Sequence, residues 1–292
     1  MHRSGFVNII GNPNVGKSTL MNALVGEKLS IVTAKAQTTR HRIMGIVNGE
    51  DWQIAYSDTP GILKPSYRPQ QNMMNFVDGA IGDADIILYV TDTVEKADKN
   101  SEYVEKLRAV ECPVVVVVNK IDISDQPKVL ELMQYWQSQL PGAAVIPASA
   151  QEKFNLDSIL EAIVSRLPEC PPWFDKDAFT DKNLRFFASE IIREQILLNY
   201  KEEIPYCCEV GIESFKEGAE RYDIGAVIYV MRESQKGIII GKKGAALKKT
   251  GTAARLEMED FFQKKVFLQI FVKVDPDWRE DRKELRKFGY ED

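Results

Sequence analysis

Cysteine and histidine are scarce in this chain, four and two among 292 residues, and nothing in their spacing gathers them. Cys112, Cys170, Cys207 and Cys208 form no Cys-x-x-Cys pair, so neither a zinc site nor a disulfide framework is expected. A reducing cytoplasm is then the simplest home. Cys112 and Cys207 have apolar, strand-like neighbours and read as small buried hydrophobes. Long apolar runs are missing as well. The valines at 114–118 are far too few to cross a bilayer, which takes roughly 20 residues. The first ten residues hold no apolar stretch of signal-peptide length before the first glycine-rich loop. Nor is there a large excess of one charge. With 38 Lys and Arg against 43 Asp and Glu, the net charge of −5 advertises no nucleic acid, so any such site must be a local patch. Repeats and low-complexity tracts are absent, and 44% hydrophobic with 28% charged residues is ordinary globular composition.

What is present divides into two halves, and the length suits two domains that each bury a core. In the first half, short runs at 6–10, 52–57, 86–91, 114–119 and 144–148 are rich in Val, Ile or aromatics and are predicted strands. Segments 101–109 and 128–139 have helical periodicity, and a helix at 155–167 closes this half. That alternation argues an α/β domain, a mostly parallel sheet with helices on both faces, with the valine run as a central strand. Pro168, Pro171 and Pro172 then stop regular structure and mark the domain boundary. The second half has another order. A helix is expected over 184–200, then strands over 207–215 and 225–232 around a charged turn at 216–223. A glycine-bounded loop at 237–244, a long helix at 245–262, a strand at 266–274 and a polar tail helix at 278–288 complete an α+β domain.

Gly11, Asn12, Pro13, Asn14, Val15, Gly16, Lys17 and Ser18 fit the phosphate-binding loop pattern, with a predicted strand before and a helical stretch after. Glycines let the backbone wrap phosphates, and successive N–H groups with a helix amino end make an anion nest. Lys17 would reach the β- and γ-phosphates, Ser18 would hold magnesium, and Thr19 completes the loop side of the site. This much suits adenine or guanine nucleotides alike. Asp58, Thr59, Pro60 and Gly61 follow a predicted strand, where the carboxylate can hold a magnesium-bound water and the Gly61 N–H can meet the γ-phosphate. Asn119, Lys120 and Asp122 follow the valine strand. Asp122 can accept from both N1–H and the 2-amino group of guanine, a pair adenine does not supply, and unpaired buried polar groups discriminate strongly. Asn119 would tie this loop to the phosphate loop, and the Lys120 stem would pack on the base. Ser149 and Ala150 follow the next strand, offering a backbone N–H to guanine O6. Each short motif alone is weak, since Asp58 or Asn119 can equally cap a turn. Four in order, each after a strand, lie where open α/β sheets bind ligands. Within the polar segment before Asp58, Thr39 rather than Thr38 is the expected switch residue, its hydroxyl reaching magnesium when the γ-phosphate is present. The plain alternative is a surface-loop threonine. Lys17, Thr39 and Gly61 are the residues expected to act on the transferring phosphoryl group.

The second half carries Ile240, Gly241, Lys242, Lys243 and Gly244. A Gly-x-x-Gly spacing is common, but its place after two strands and before a long helix is the layout of a KH domain, whose loop clamps four nucleotides of single-stranded RNA. Lys236, Lys242, Lys243, Lys248 and Lys249 put five positive charges into 236–249 with no acid among them. Ile238, Ile239 and Ile240, with Ala245, Ala246 and Leu247, are expected to floor the groove where bases rest. A solvated charge run beside a tight turn is the bland alternative.

Taken in order, the Gly-Asn-Pro-Asn-Val-Gly-Lys-Ser, Gln-Thr-Thr-Arg-His-Arg, Asp-Thr-Pro-Gly, Asn-Lys-Ile-Asp and Ser-Ala segments resemble the Era family of bacterial GTPases across essentially the whole chain. The resemblance implies a GTP-binding domain at 1–170, a linker and leading helix at 171–199, a KH type 2 domain of helix–strand–strand–helix–strand order at 200–280, and a tail at 281–292. It implies that an apolar residue, here Ile62, stands where Ras-like GTPases orient water with a glutamine. Ile62 cannot hydrogen-bond that water, so intrinsic turnover should be slow. Asn14 matches the position that ligates a potassium ion bridging the phosphates in related GTPases, supplying charge neutralisation that an arginine finger gives elsewhere; alternatively it only stiffens the loop. Further implications are magnesium as cofactor, GTP and GDP as ligands, and the 3′ end region of small-subunit ribosomal RNA and the maturing 30S subunit as partners. A monomer in the cytoplasm, with peripheral contact at the inner face of the cell membrane, is also implied. Arg282, Lys283, Arg286 and Lys287 are interleaved with Asp281 and Glu284, which favours a solvated helix face over a lipid contact. Two rivals stand beside this reading. A tRNA-modifying GTPase needs a nucleophile constellation or metal-ligand spacing that nothing after Pro172 supplies. An RNA-binding adaptor stabilised by GTP would show no cation-dependent turnover.

Overall fold

The computed structural model describes residues 1–35, 37–96 and 101–290. They form two compact units, Met1–Pro65 with Met73–Asp181, and Ser66–Asn72 with Lys182–Asp292. In chain order the first part runs β1 (Arg3–Gly11), α1 (Lys17–Val25), β2 (Ile43–Asn48), β3 (Trp52–Asp58), α2 (Arg68–Gly82), β4 (Ile86–Asp92), α3 (Ser101–Ala109), β5 (Val114–Asn119), α4 (Gln126–Gln139), β6 (Ala144–Pro147) and α5 (Leu156–Val164). Its sheet has the order β2-β3-β1-β4-β5-β6, parallel except where β2 meets β3. Every residue of β4 and β5 is buried, as strands covered on both faces must be. The chain leaves β1 toward β3 on one side and returns to β4 on the other. That reversal opens a crevice at the carboxyl ends of the strands, where such sheets bind ligands.

Two elements of this part have no counterpart among the predicted ones. The edge strand β2 emerges from a polar stretch and carries a mid-strand glycine, Gly45, whose Cβ would collide with Val25 and Leu29 at 2.8 and 2.9 Å. In α2, Pro69, Gly79 and Gly82 obscure a helix whose buried Met73, Val77 and Ala80 nonetheless recur at helical spacing. The prolines after α5 do end the helix, but the chain beyond them stays on the first unit. Ser4 Oγ donates to the carbonyls of Cys170 and Pro171, and Gln53 Oε1 accepts from the N–H groups of Trp173 and Phe174. The Ile46 N–H donates to Phe179 O, and the Met44 N–H to Asp181 Oδ1. Edge-strand donors that would otherwise need water are thus paired by 173–181, and the units divide after Asp181 rather than at the prolines.

The second part runs α6 (Leu184–Asn199), α7 (Ile204–Cys207), β7 (Cys208–Glu217), β8 (Arg221–Val230), α8 (Glu233–Ile240), α9 (Ala245–Phe262), β9 (Lys265–Val274) and α10 (Arg282–Lys287). Asn183 caps α6 by accepting from the Phe186 N–H. The sheet order is β7-β8-β9, antiparallel then parallel. One sheet face and the helices enclose Ile192, Ile196, Ile224, Ile228 and Met258. Three expectations need correction here. Segment 237–244 is not a loop throughout, because Ile238, Ile239 and Ile240 finish α8, and the order becomes helix–strand–strand–helix–helix–strand. β7 and β8 extend to Glu217 and Arg221, which narrows the charged turn. The tail helix is only Arg282–Lys287, and Trp278 and Phe288 flank it with their rings packed at 5.9 Å.

Candidate functional site

The loops leaving β1, β3 and β5 meet at the crevice. Gly16 is left-handed at φ 94°, and a Cβ there would lie 2.4 Å from Asn119 Nδ2. A Cβ on Gly61 would lie 2.7 Å from Pro13 Cα, so the Asp-Thr-Pro-Gly turn presses directly on the phosphate loop. Lys17 is 6% exposed, its Nζ donating to Gly11 O at 3.1 Å and Asn12 O at 2.8 Å. Burial lowers its pKa to about 8, partly opposed by Asp58 and Glu95. A desolvated ammonium wrapped by backbone is a group that gains by meeting an anion.

Ser18, Thr39 and Asp58 converge. Ser18 Oγ donates to Asp58 Oδ2 at 2.7 Å and lies 2.8 Å from Thr39 Oγ1, which is 3.4 Å from the same carboxylate oxygen. Thr38 turns elsewhere, its hydroxyl donating to Lys35 O and pairing with Thr33 Oγ1. Burial raises the Asp58 carboxyl, opposed by the Ser18 bond and Lys17. Asp58 Oδ1 is buried without a hydrogen-bond partner. Two hydroxyls and a carboxylate with an orphaned oxygen form a hard-oxygen set of the kind magnesium takes. Thr59 Oγ1 donates to Ile9 O, Pro60 is buried, and the Ile62 N–H donates to Gly11 O while its side chain is 5% exposed. Ile62 therefore offers the crevice no hydrogen-bonding side-chain group.

The base side is organised by Asn119. Its Nδ2 donates to Val15 O at 2.8 Å and its Oδ1 accepts from the Ala150 N–H at 3.0 Å, tying three loops together. Lys120, left-handed at φ 61°, donates to Asn14 O at 2.5 Å and pairs with Asp92 at 2.6 Å. Asn14 is left-handed too, at φ 65°, with its side chain exposed. Asp122 is exposed in a single 3₁₀ turn. The N–H groups expected to meet guanine O6 are already engaged, Ala150 with Asn119 and Ser149 with Phe154 O at 3.2 Å, so O6 would have to share the Ala150 donor. A cleft of about 360 Å³ is lined by the phosphate loop through Thr19, by Gly61 and Lys120, by the expected Thr39 with Thr38, and by residues 31–35, which motif reading passed over. Glu95 was also missed. It accepts from Asn12 Nδ2 at 2.5 Å and Thr91 Oγ1 at 2.9 Å, yet a lone carboxylate in a loop carries no motif signal.

In the second unit, Gly241 (φ 70°), Lys243 (φ 52°) and Gly244 (φ 77°) are left-handed within one turn, and a Cβ on Gly241 would lie 2.6 Å from Ala246 Cβ. Lys242 and Lys243 project into solvent from that turn. Behind it, Gly244, Leu247, Lys248, Gly251 and Arg255 recur at helical spacing and face Leu268 and Ile270 of β9 across a groove of about 350 Å³. The floor is thus Leu247, Leu268 and Ile270, not the isoleucine run. Ile239 is fully buried in the core, with its carbonyl accepting from Tyr200 Oη at 2.8 Å, while Ile238 is half-exposed and Ile240 half-buried. Ala245 is exposed and Ala246 packs on the core. Lys248 lines the groove, Lys249 is exposed off that stripe, and Lys236 is half-buried in α8. Arg255, Leu268 and Ile270 were missed, although the stripe beginning at Gly244 was the signal that could have found the first.

A model of the family described as a 50S ribosome-binding GTPase matches residues 6–120, and one described as a KH domain matches residues 203–279. A chloroplastic ERA-like GTPase of Oryza sativa subsp. japonica is 44% identical, over 99% of this chain and 70% of its own length. The GTPase Era of Geobacter metallireducens is 43% identical over 99% of this chain and 98% of its own. Among solved structures, Era in complex with MgGDPNP and nucleotides 1506–1542 of 16S ribosomal RNA matches with a TM-score of 0.95 and 39% identity, covering 100% of both chains. An Aquifex aeolicus Era variant bound to GDP·AlF4⁻ matches with a TM-score of 0.94, 39% identity and 99% of both chains.

Proposed function

The chain belongs to the Era family of GTPases, and from that premise we propose that it couples a GTP-driven switch to small-subunit ribosomal RNA held in its KH groove, acting in assembly and maturation of the 30S subunit. It hydrolyses GTP to GDP and phosphate. The observation that carries the proposal is the presence on one chain of both sites: Ser18, Thr39 and Asp58 gathered at a phosphate loop, and a Gly-Lys-Lys-Gly turn opening on an apolar-floored groove. The Era structure that holds MgGDPNP together with a 16S rRNA fragment supports both ligands.

Lys17 and the loop N–H groups hold the β- and γ-phosphates, and the Gly61 N–H meets the γ-phosphate. Ser18, Thr39 and, through a water, Asp58 would hold magnesium, which when bound neutralises charge on the phosphates. Thr39 reaches this cluster from a segment without helix or strand, so its place there depends on contacts at its own end. Loss of the γ-phosphate removes part of those contacts, which makes 31–39 the ligand-sensed element. Asp122 reads guanine. The buried Ile62 cannot orient water, which keeps basal turnover slow. We place potassium at the exposed Asn14 side chain, with loop stiffening as the alternative role. We also place the protein in the cytoplasm as a monomer. Membrane contact draws no support from the tail, where Leu285, Phe288 and Tyr290 are buried and Lys287 pairs with Glu213 at 2.8 Å.

The test measures GTP turnover at equal ionic strength in potassium and in sodium, with and without RNA of the small-subunit 3′ end. It also compares RNA affinity with GDP and with a non-hydrolysable GTP analogue. Stimulation by potassium and RNA, and unequal RNA affinity in the two nucleotide states, are expected. Identical RNA affinity would sink the switch, because a ligand shifts only what it binds differentially. Indifference to the cation would leave Asn14 a loop stiffener.

A further inference from the structure

The KH sheet has two faces, and helices α6 and α9 cover only one of them. Along β9, Val266, Leu268, Ile270 and Val272 turn toward the core, while Lys265, Phe267, Gln269, Phe271 and Lys273 are exposed. Phe267 and Phe271 keep 46% and 63% of their surface in solvent, a costly place for two phenyl rings on one strand. The tail covers the far end of this face, where the rings of Phe288 and Tyr229 pack at 5.1 Å, and leaves the Phe267–Phe271 end open.

The setting of these rings is specific. Across the sheet, Phe267 lies beside Asp223, Gln269 beside Gly225, and Phe271 beside Val227. Gly225 in turn lies beside Ser214 on β7, and this row of small residues leaves a depression of about 250 Å³ next to Phe267 and Gln269. Lys216 and Arg221 line it, and the Arg221 guanidinium stands 5.3 Å from the Phe267 ring centroid. Lys265 and Lys273 flank the two rings on the same strand. Of the acids near this face, Asp223 pairs with Arg221 at 2.9 Å, Glu259 lies 3.7 Å from Lys265, and Glu213, toward the tail, pairs with Lys287 at 2.8 Å.

We propose that this open sheet face is a second single-stranded RNA surface, on which Phe267 and Phe271 each stack a base and Gln269 hydrogen-bonds a base edge between them. Flat apolar rings beside cations match bases joined by phosphates, and base–aromatic stacking needs no particular sequence. The rings are four residues apart, about 13 Å along the strand, so they take bases that are not stacked neighbours. A protein docking site would centre on a continuous apolar cluster, whereas here an amide separates the rings and cations surround them. Continuity favours RNA as well. Leu268 and Ile270 floor the KH groove from the other side of β9, and β9 pairs with β8 alone among the described strands. An RNA leaving the groove has one strand's width to cross.

The route of that RNA rests on the proposed reading of the groove, so the experiment separates the two. Binding of mixed-sequence single-stranded RNAs of about 6 and about 16 nucleotides is followed by fluorescence anisotropy at fixed salt, the shorter being sufficient for a four-nucleotide clamp. The Phe267→Ala/Phe271→Ala protein should bind the short RNA as the parent does and the long RNA roughly tenfold or more weakly. The Leu/Leu pair, which keeps apolar surface without a ring, should be as weak as Ala/Ala, and the Tyr/Tyr pair should recover. GTP turnover without RNA should match the parent in all three, and an unchanged thermal melt checks folding of the second unit. Long-RNA affinity equal in the parent and in both ring-less pairs overturns the proposal, and it is the result expected if the face serves a protein partner. Lys242→Ala/Lys243→Ala tests the groove by itself. If that variant loses neither RNA while the Phe variants lose the long one, the groove reading fails and the sheet platform stands.

Discussion

Asn119→Ala is the substitution whose cost the structure lets one work through most fully. The side chain is 2% exposed and closes two hydrogen bonds, to Val15 O at 2.8 Å and from the Ala150 N–H at 3.0 Å. Removing it leaves a buried carbonyl and a buried amide without partners, each costing about 1–3 kcal/mol. Both orphans lie in loops that can relax and admit water when no nucleotide is bound, so part of the loss is recovered in the free protein. Bound nucleotide holds those loops in place and denies that relaxation. The penalty should therefore fall mainly on affinity, at about 2–4 kcal/mol, or roughly 30- to 1000-fold in Kd. The domain should remain folded at 25 °C, since stability margins are about 5–15 kcal/mol. Titration calorimetry with MgGDP reads the affinity, and a thermal melt without nucleotide reads the rest. Asn119→Asp supplies the control. It keeps an acceptor for the Ala150 amide but sets a carboxylate oxygen against Val15 O, so it should bind at least as poorly as the alanine variant. A Kd within threefold of the parent for Asn119→Ala, with an unchanged melt, would refute the reasoning. Near-parent binding by Asn119→Asp would show that the Val15 tie contributes little.

Three other outcomes follow from geometry. Gly241→Ala must accommodate both a φ of 70° and a Cβ 2.6 Å from Ala246, whereas Gly244→Ala at φ 77° meets open space. The first should destabilise the second unit by about 1–3 kcal/mol and abolish RNA binding, the second by nearer 1 kcal/mol, read by thermal melts and RNA titration. Asp122→Ala should lower preference for GTP over ATP by two or more orders of magnitude in competition binding, since it removes both acceptors for the guanine edge. The Lys287 bond, then that of Tyr229, holds the Glu213 carboxyl below its ordinary range. A depressed carboxylate stabilises above the ordinary carboxylate range and loses that contribution as pH falls through its folded value. The tail should therefore loosen on acidification, read by Trp278 emission, and Lys287→Ala should flatten that dependence.

The nucleotide site was legible because its parts are short, punctuated by glycine, and placed at strand ends, where local sequence decides local geometry. Lys17, Thr39, Asp58 and Asn119 take their expected roles from sequence alone, and the structure brings each of them to the crevice. What escaped depends on partners distant in sequence. The strap at 173–181 looks like linker because its order comes from N–H donors on β2 and from the Gln53 side-chain acceptor, more than a hundred residues earlier. The isoleucines at 238–240 look like a groove floor because they are apolar and adjoin the Gly-x-x-Gly turn. Only the packing of α8 against the core reveals that Ile239 belongs to it.

Strand β9 carries this difference furthest. Its alternation is regular, and a period of two says only that one set of side chains faces a core and the other does not. It cannot say that the inward set also floors a groove, or that the outward set leaves two phenyl rings uncovered beside arginine and lysine. Those facts arise because α9 covers one face of the sheet incompletely and the tail covers only one end of the other. Incomplete cover costs stability, since each half-exposed ring forgoes about half of the roughly 1.5–3 kcal/mol that full burial contributes. A fold that leaves both faces of one edge strand open in this way has surface to spend on a long, flat, charged ligand, and single-stranded RNA is the ligand whose chemistry matches both faces at once.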